Sequence, residues 1–425
     1  MSKNKILGLV EDYVSYQLQQ KEFIPGKSKV PASGAVLSPQ DALNLTEAVL
    51  NLWYTEGKFC AKFRRSLKEY SGKDYITLCN SGSSASLLAM CAAVETFAPA
   101  TYVITCATNF PTSVAPIYQT GHIPIYIDID PKTLSPNIYQ FYMALERYKG
   151  KIIGTFLPHI LGFPFHEYYF DLDNEGFMIV DCCDALGAGV NNDIGDINLV
   201  GTFSDLSTAS FFPAHHITTG EGGAVFTQHE NISKVVDSFA NWGRDCWCAP
   251  GQDNTCGKRF DWDWKHLPAG YDHKYTFSRL GYNLKMTEWQ AALGVSQLSS
   301  LWSFVATRQR NYKYILDNLL IFEQLRFVDI PEWSRPSPFG FPIYAEGFAE
   351  DLIRHLEERK IATRRVFAGN ITRQPGFHGM PNITFGLSGS DDVMENMFWI
   401  GCSPNVTDEM LHYVFEAFDD YFRGK

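Results

Sequence analysis

The sequence lacks any uncharged apolar run that approaches the length of a membrane span. Residues 1–20 carry charges through their only apolar stretch, so no signal peptide is expected. Positive charge is scarce: 36 lysines and arginines face 47 aspartates and glutamates, and the formal net charge is −11. No basic cluster suited to nucleic acid is present, and there are no repeats or low-complexity segments. We therefore expect a cytoplasmic protein that acts with small molecules and proteins, without nucleic acid or membrane as a partner.

Cysteine, by contrast, is plentiful, with ten residues in the chain. In a reducing compartment, grouped cysteines indicate metal binding or catalysis rather than disulfides. Cys246, Cys248 and Cys256 form a C-x-C-x7-C pattern, and Cys183 lies upstream beside a second thiol, Cys182. Four thiolates can hold either zinc or a [2Fe–2S] cluster, and the spacing does not separate the two.

The apolar pattern predicts an α/β fold. From Tyr75 onward, short apolar runs alternate with helical or loop segments, which is typical of a mostly parallel, helix-covered sheet. The runs are YITLC, TYVITCA, PIYIDI, IIGTFL, GFMIVD, STASFF and GGAVFT. Two helices should precede the sheet, one beginning at Ser38-Pro39 and continuing towards Gly57, the other spanning roughly residues 59–70.

A long amphipathic stretch begins at Thr287, and the pattern changes after it. The strand-like FGFPIYA, the helix-like AEDLIRHLEERK and the terminal DEMLHYVFEAFDDYF predict a small α+β domain. We divide the chain into a large domain, residues 1–300, and a small C-terminal domain, residues 301–425.

Three polar segments follow predicted strands. YITLC runs into Asn80-Ser81-Gly82-Ser83-Ser84 and then a helix, an arrangement that suits a phosphate. An ordinary strand-to-helix turn capped by serine has the same sequence pattern. GFMIVD ends at Asp181, and STASFF leads to His215-His216. Because ligands bind at the carboxyl edge of a parallel sheet, these groups can face one cleft. A turn cap for Asp181 and a structural histidine pair are the alternatives.

These segments, with Glu221-Gly222-Gly223 and Gly281-Tyr282-Asn283, resemble the sugar aminotransferase family of fold-type I pyridoxal-phosphate enzymes over nearly the whole chain. The resemblance implies a large cofactor-binding domain, a small C-terminal domain and a homodimer with shared sites. It places Asp181 on the pyridine nitrogen. It also implies cofactor contacts for Gly82, Ser83 and Ser210 at the phosphate, for Phe110 and Asp184 at the ring faces, and for Asn283 at the neighbouring subunit's cofactor phosphate.

His215 stands where that family normally has the lysine that binds the cofactor covalently. An imidazole cannot form a Schiff base, but it moves protons near neutral pH. We therefore expect pyridoxamine 5'-phosphate (the PMP form of PLP) as cofactor, with His215 as general base for loss of a sugar hydroxyl. Substrate contacts are weaker predictions, with packing roles as the alternative: Glu221, Arg365, Phe367 and Asn370.

The cysteine set, with PAGYDHKYTFSRLGYNLK and FAGNITRQPGFH, resembles the iron–sulfur dehydrases that make 3,6-dideoxyhexoses. That resemblance implies a [2Fe–2S] cluster on Cys183, Cys246, Cys248 and Cys256, with Cys182 competing for the fourth position. It implies C3 dehydration of a nucleotide-linked 4-keto-6-deoxyhexose, with CDP-4-keto-6-deoxy-D-glucose as first choice, in lipopolysaccharide sugar biosynthesis. An NAD(P)H-dependent iron–sulfur flavin reductase is the implied partner.

The sequence departs from that pattern at Val180, where relatives often have an acid, and in a longer gap between Cys183 and Cys246. Two alternatives stay open. One is a cluster-free 3-dehydratase of the GDP-4-keto-6-deoxymannose type, and the other is a catalytically inactive, metal-bearing relative.

Overall fold

The computed structural model describes residues 2–19, 22–97, 99–170, 172, 176–191, 196–246, 248 and 252–424. Within these residues the α-helices are α1 (Lys3–Gln17), α2 (Pro39–Leu50), α3 (Lys58–Ser71), α4 (Gly82–Thr96), α5 (Pro111–Gln119), α6 (Ile138–Arg147), α7 (Glu230–Ala240), α8 (Glu288–Ser299), α9 (Leu301–Leu319), α10 (Ala349–Glu358), α11 (Ser388–Asn396) and α12 (Asp408–Arg423). No helix of this part of the chain is both long and apolar enough to cross a membrane.

The strands of the same residues are β1 (Tyr75–Cys79), β2 (Tyr102–Cys106), β3 (Ile123–Ile127), β4 (Ile152–Pro158), β5 (Phe177–Asp181), β6 (Gly189–Asn191), β7 (Ile197–Leu199), β8 (Leu206–Ser210), β9 (Gly223–Thr227), β10 (Ser334–Arg335), β11 (Phe341–Tyr344), β12 (Thr363–Arg365), β13 (Ile383–Thr384) and β14 (Met397–Ile400). Each of the seven apolar runs picked from the sequence corresponds to one strand of the main sheet, with ends that differ by up to two residues.

Eight strands form the main sheet, in the order β1-β9-β8-β5-β4-β2-β3-β13. The neighbours from β8 to β13 pair in parallel, and the strands β4, β5 and β8 are buried throughout. The predicted mostly parallel sheet is therefore confirmed. The exception is β9, which runs antiparallel to both β1 and β8, because residues 211–222 return the chain without a crossover helix.

The sheet topology decides where the polar segments meet. Strands β1, β2, β5 and β8 all point the same way, so their carboxyl ends lie along one edge of the sheet. Helix α4 begins directly after β1, and α5 begins a few residues after β2. Asp181 is the last residue of β5 and Ser210 the last of β8. The candidate site is built on this edge.

Helix boundaries differ from the sequence prediction in two places. The helix begun by Ser38 has a capping box with Asp41, but it ends at Leu50 because Leu52 takes a left-handed φ of 57°. The long stretch after Thr287 is two helices that meet at Ser300, and consecutive serines are a recognised place for such a break. The break lets α8 pack on α2 and α3 while α9 reaches α12.

The C-terminal part of the chain contains the three-stranded antiparallel sheet β11-β14-β12. It is joined to the main sheet in two ways. Strand β13 pairs with β3, and one continuous hydrophobic core contains residues of both parts, such as Ile104, Phe341 and Phe398. The division at residue 300 stays a prediction, since the core runs across it.

Candidate active site

A cavity of about 900 Å³ opens at the carboxyl edge of the main sheet. Ten of the residues predicted from the sequence line it: Gly82, Ser83, Phe110, Asp181, Cys183, Asp184, Ser210, His215, Arg365 and Phe367. They come from strand ends that are far apart in sequence, as expected for a site at this edge. Two further segments complete the wall, residues 29–33 and residues 374–377.

Asp181 lies buried at the end of β5 and is held by three donors. The Ser113 hydroxyl makes a short hydrogen bond to Oδ2, the backbone N–H of Cys183 donates to Oδ1 over 2.9 Å, and the Thr208 hydroxyl reaches Oδ1 at 3.4 Å. These bonds fix the carboxylate rotamer against the cavity wall. A carboxylate accepts about four hydrogen bonds, so one direction is left for a ligand.

The start of α4 forms one end of the cavity. Ser81 caps the helix by accepting from the N–H of Ser84 at 3.0 Å, and the first-turn N–H groups of Gly82 and Ser83 have no intrahelical partner. A Cβ on Gly82 would lie 2.5 Å from the Ser210 Cβ and 3.1 Å from the Cys183 sulfur. Glycine is therefore required for this close approach, and hydroxyls and N–H groups converge there as a phosphate needs.

His215 faces the cavity beside Asp184. Its Nδ1 lies 3.3 Å from the Asp184 Oδ1 but is not aligned for a hydrogen bond. The second Asp184 oxygen is also buried without a hydrogen-bond partner among the described residues. Burial raises the pKa of the Asp184 carboxyl, and the adjacent imidazole only partly offsets this. Two buried polar atoms are thus left to be satisfied by whatever occupies the cavity.

Arg308 of α9 holds the backbone around His215 in place. This fully buried guanidinium donates to the carbonyls of Pro338, Phe339 and His215, at 3.2, 2.9 and 3.4 Å. The Phe339 ring packs against the imidazole, with centroids 5.2 Å apart. The side chain of His215 is 15% exposed, so the imidazole is shielded from bulk water but open to the cavity.

His216, the second histidine of the pair, has a different environment. It is 3% exposed, its Nε2 bonds to the Ser337 carbonyl at 3.0 Å, and it does not line the cavity. Burial lowers the pKa of this imidazole well below its ordinary 6.5, and the positive Arg308 acts in the same direction. The structural interpretation of the pair applies to His216, while His215 is the one placed for chemistry.

Because His216 stays neutral when folded but takes up a proton when unfolded, its contribution to stability is complete above pH 6.5 and falls as the pH drops below that value. A His216→Gln variant keeps a donor for the carbonyl without the charge. We expect the wild type to lose about 1 kcal/mol more than this variant between pH 6.5 and 5.5. Thermal unfolding at both pH values measures this. The exposed His378→Gln is the control, and equal pH profiles for wild type and His216→Gln would contradict it.

Three of the residues predicted to contact cofactor or substrate lie outside the cavity. Asn283 is exposed and its side-chain oxygen accepts from Lys285 at 2.9 Å, and Glu221 is exposed with only its backbone carbonyl bonded. Asn370 is 3% exposed and its amide is used internally, donating to Asp391 at 3.0 Å and accepting from Thr372. The Asn370 side chain also caps the short 3₁₀ helix Ile371–Arg373.

The predicted metal-binding thiols are not gathered into one site. No group of three or more histidine, cysteine, aspartate or glutamate side chains is arranged to hold a metal ion in the part of the chain that the structure describes. Cys183 lines the cavity, and burial raises the pKa of its thiol well above the ordinary value. The second possible upstream ligand, Cys182, is 4% exposed.

Cys246, Cys248 and Cys256 lie on the loop after α7 and do not line the cavity. Burial opposes ionisation of Cys248, but hydrogen bonds from Thr255, whose hydroxyl is 3.0 Å from the sulfur, lower the pKa of this thiol. Cys246 interacts with Cys248, and its own pKa is raised, first by burial. The loop therefore favours ionisation of Cys248, but its described thiols are not arranged as a metal site.

Some residues in the cavity wall or directly behind it were not found from the sequence. Ser113 and Arg308 bond to Asp181 and His215 from helices α5 and α9, and His159 lines the wall with both ring nitrogens engaged by Glu167 and the Phe165 N–H. None of these belongs to a local motif. The sequence does show an arginine within the amphipathic helix α9, but the helical periodicity does not reveal that its guanidinium is buried.

Comparisons with known proteins agree with this architecture. The profile of the DegT/DnrJ/EryC1/StrS aminotransferase family matches residues 37–419. Lipopolysaccharide biosynthesis protein RfbH of Salmonella typhimurium is 42% identical, over 99% of this chain and 98% of that protein. The dTDP-4-dehydro-2,6-dideoxy-D-glucose 3-dehydratase of Saccharopolyspora spinosa is 39% identical, over 99% of this chain and 92% of that protein.

Among solved structures, an E. coli GDP-4-keto-6-deoxy-D-mannose-3-dehydratase with bound hydrated PLP is similar with a TM-score of 0.79. The similarity covers 91% of this chain and 98% of that chain at 22% sequence identity, so it concerns the fold. The predicted fold-type I α/β architecture is confirmed.

Proposed function

Because this chain belongs to the DegT/DnrJ/EryC1/StrS aminotransferase family, we propose that it is a pyridoxamine-phosphate enzyme that removes the C3 hydroxyl of a nucleotide-linked 4-keto-6-deoxyhexose. One observation carries the proposal: a histidine, His215, lines the cavity beside Asp184, and the family resemblance puts this residue at the position of the covalent lysine. Among the described lining residues the only lysine is Lys29, which is exposed. The 39% identical relative, named as a 3-dehydratase, supports the reaction class.

The cavity fits the cofactor. The Gly82 cradle with Ser83 and Ser210 suits its phosphate, and the remaining acceptor direction of Asp181 suits a protonated ring nitrogen. Phe110 and Asp184 would lie at the ring faces, and the unsatisfied Asp184 oxygen is available there. When bound, the cofactor supplies an amine that condenses with the sugar ketone and a ring that accepts electrons. The exposed Asn283 is assigned to the neighbouring subunit's cofactor phosphate in a homodimer.

His215 would hold and move the proton. Its Nδ1 is turned to Asp184, and its Nε2 has no hydrogen-bond partner among the described residues, so Nε2 would be the atom that takes up and returns a proton in the cavity. The carboxylate of Asp184 next to Nδ1 stabilises the charged imidazolium that results. Arg308 keeps the turn in place through the backbone carbonyl, and Phe339 limits rotation of the ring.

The experiment is incubation with pyridoxamine phosphate and CDP-, dTDP- or GDP-linked 4-keto-6-deoxyhexoses. We expect cofactor-dependent loss of water at C3, followed by mass spectrometry, with the CDP sugar turned over fastest. Formation of an amino sugar from an amine donor would contradict the dehydratase and indicate an aminotransferase. Cofactor binding without loss of water from any of the three sugars, with or without a chemical reductant such as dithionite, would favour the catalytically inactive relative.

We further propose that the two electrons that complete deoxygenation come from an NAD(P)H-dependent iron–sulfur flavin reductase through a [2Fe–2S] cluster on Cys183, Cys246, Cys248 and Cys256. The support is the cysteine spacing. As placed, the described thiols do not fit a cluster, and the loop would have to close on Cys183.

Metal content tests this second proposal independently of the first. Anaerobically purified protein should contain about two iron and two acid-labile sulfide per chain. Zinc, or no metal, in protein that still binds the cofactor would favour the cluster-free dehydratase, which releases ammonia and a ketone instead of taking electrons. A Cys248→Ser variant should lose iron, whereas the buried Cys402→Ser, far along the chain in the C-terminal part, should retain it.

A further inference from the structure

A segment that precedes the family match contributes to the cavity. The match begins at residue 37, yet Lys29, Pro31, Ala32 and Ser33 line the wall. The segment is not a loose terminus, since Val30 and Ala32 are 2% and 6% exposed. We name residues 29–33 the N-terminal strap.

The N-terminal strap is bonded to two parts of the chain. Val30 pairs with Ile361, with hydrogen bonds of 2.9 Å to the Lys360 carbonyl and 3.0 Å from the Ala362 N–H. At its other end the Ser33 hydroxyl donates to the carbonyl of Ala214 at 2.5 Å, directly before His215. The strap therefore joins the sheet of the C-terminal part to the turn that carries the imidazole.

A glycine makes room for the strap. A Cβ on Gly401, at the end of β14, would lie 2.1 Å from the Pro31 carbonyl oxygen and 2.7 Å from that of Ala32. Glycine at this position therefore lets the strap pass directly against the end of β14. The position of Lys29 at the mouth of the cavity is consequently set by the fold.

Charge at the mouth is positive, although the chain as a whole is acidic. Lys29, Arg364 and Arg365 line the cavity, and the lining carboxylates are Asp181 and Asp184 at the buried end. Arg365 is paired with Glu350 at 2.6 Å. Lys29 and Arg364 have no carboxylate partner among the described residues, so two uncompensated cations face the opening.

We propose that the N-terminal strap completes the substrate site and that Lys29 and Arg364 bind the diphosphate of the nucleotide-linked sugar. This inference rests on the proposed function, which requires such a substrate. A diphosphate is best held by a lysine and an arginine at the opening, because the sugar must reach His215 while the nucleotide stays near solvent. The cofactor phosphate has its own cradle at the start of α4, so the two phosphate sites are separate.

Isothermal titration calorimetry with CDP, and with dTDP, GDP and inorganic pyrophosphate for comparison, tests the inference. Lys29→Met and Arg364→Met should each weaken CDP binding by about tenfold and leave pyridoxal-phosphate binding unchanged. Cytidine, which has no phosphate, should bind wild type and variants equally. Lys27→Met removes a nearby exposed lysine that does not line the cavity and should leave all affinities unchanged.

Unchanged CDP affinity in both variants would overturn the assignment, as would wild-type protein that binds none of the four phosphate probes. Weaker pyridoxal-phosphate binding in the same variants would also overturn it, because the cations would then serve the cofactor. These outcomes are distinct from failure of the proposed function. Dehydration in wild type with unaltered CDP affinity in Lys29→Met rejects only the strap, and strap-dependent CDP binding without dehydration rejects only the reaction.

Discussion

A His215→Asn variant is expected to lose between about 10²- and 10⁴-fold in the rate of C3 dehydration while still binding cofactor and nucleotide sugar. The amide is close in size to imidazole and can occupy the same space beside Phe339, but it cannot take up a proton near neutral pH. The loss should therefore appear in kcat with little change in KM. His216→Gln, which alters the structural histidine, should keep most of the activity.

The companion substitution His215→Lys restores an amine at the same position. With added pyridoxal phosphate we expect covalent attachment, seen as an increase in protein mass after borohydride reduction, together with loss of dehydration. The wild type should show no such increase, because the lysine at the cavity, Lys29, lies exposed at its mouth. Attachment in the wild type, or its absence in His215→Lys, would mean that His215 does not occupy the lysine position.

The convergence of Asp181, Ser210 and the Gly82 turn could be predicted because it depends only on strand direction. Each follows a short apolar run, and a parallel sheet brings the ends of such runs to one edge. The same argument placed both histidines at the edge but did not separate them. Which of the two imidazoles faces the cavity is decided by the turn from Phe212, whose carbonyl accepts from the N–H of His215 at 2.9 Å.

What the sequence did not reveal involves contacts between distant elements. Arg308 lies 93 residues after His215 and donates to the backbone carbonyl of His215. Ser33 lies 181 residues before Ala214, whose carbonyl accepts from the Ser33 hydroxyl. Periodicity reports the face of a helix that is buried and not what a buried guanidinium touches. The break at Ser300 was missed for the same reason, since it follows from packing against two different helix groups.

The cysteines show the opposite case, in which spacing suggested a group that the described residues do not form. The thiols of Cys246 and Cys248 do interact, as two cysteines on a loop can when a single residue stands between them. Bringing Cys183 to them depends on how the loop folds against the cavity, which spacing does not encode. A bound metal would also change how closely the thiols can approach, because thiolates repel one another until a cation compensates their charge.

The Asp181→Asn variant should reduce dehydration by about 10²- to 10³-fold. The carboxylate accepts from Ser113, Thr208 and the Cys183 N–H, so its last acceptor direction is the one open to the cofactor ring nitrogen. An amide can keep the bonds to one oxygen, but its NH₂ group would then face the Ser113 hydroxyl and a ring N–H, and it carries no charge to keep that nitrogen protonated.

Loss of a buried negative charge also changes stability, so the comparison needs a second buried acid. Asp128 is suitable, since it is 4% exposed, accepts from the Ser390 hydroxyl at 2.7 Å and lies outside the cavity. Asp128→Asn should unfold at a temperature close to that of Asp181→Asn and retain activity. If Asp181→Asn kept a rate within a few fold of the Asp128 variant, Asp181 would be a turn cap, and the cofactor would have to be held in another orientation.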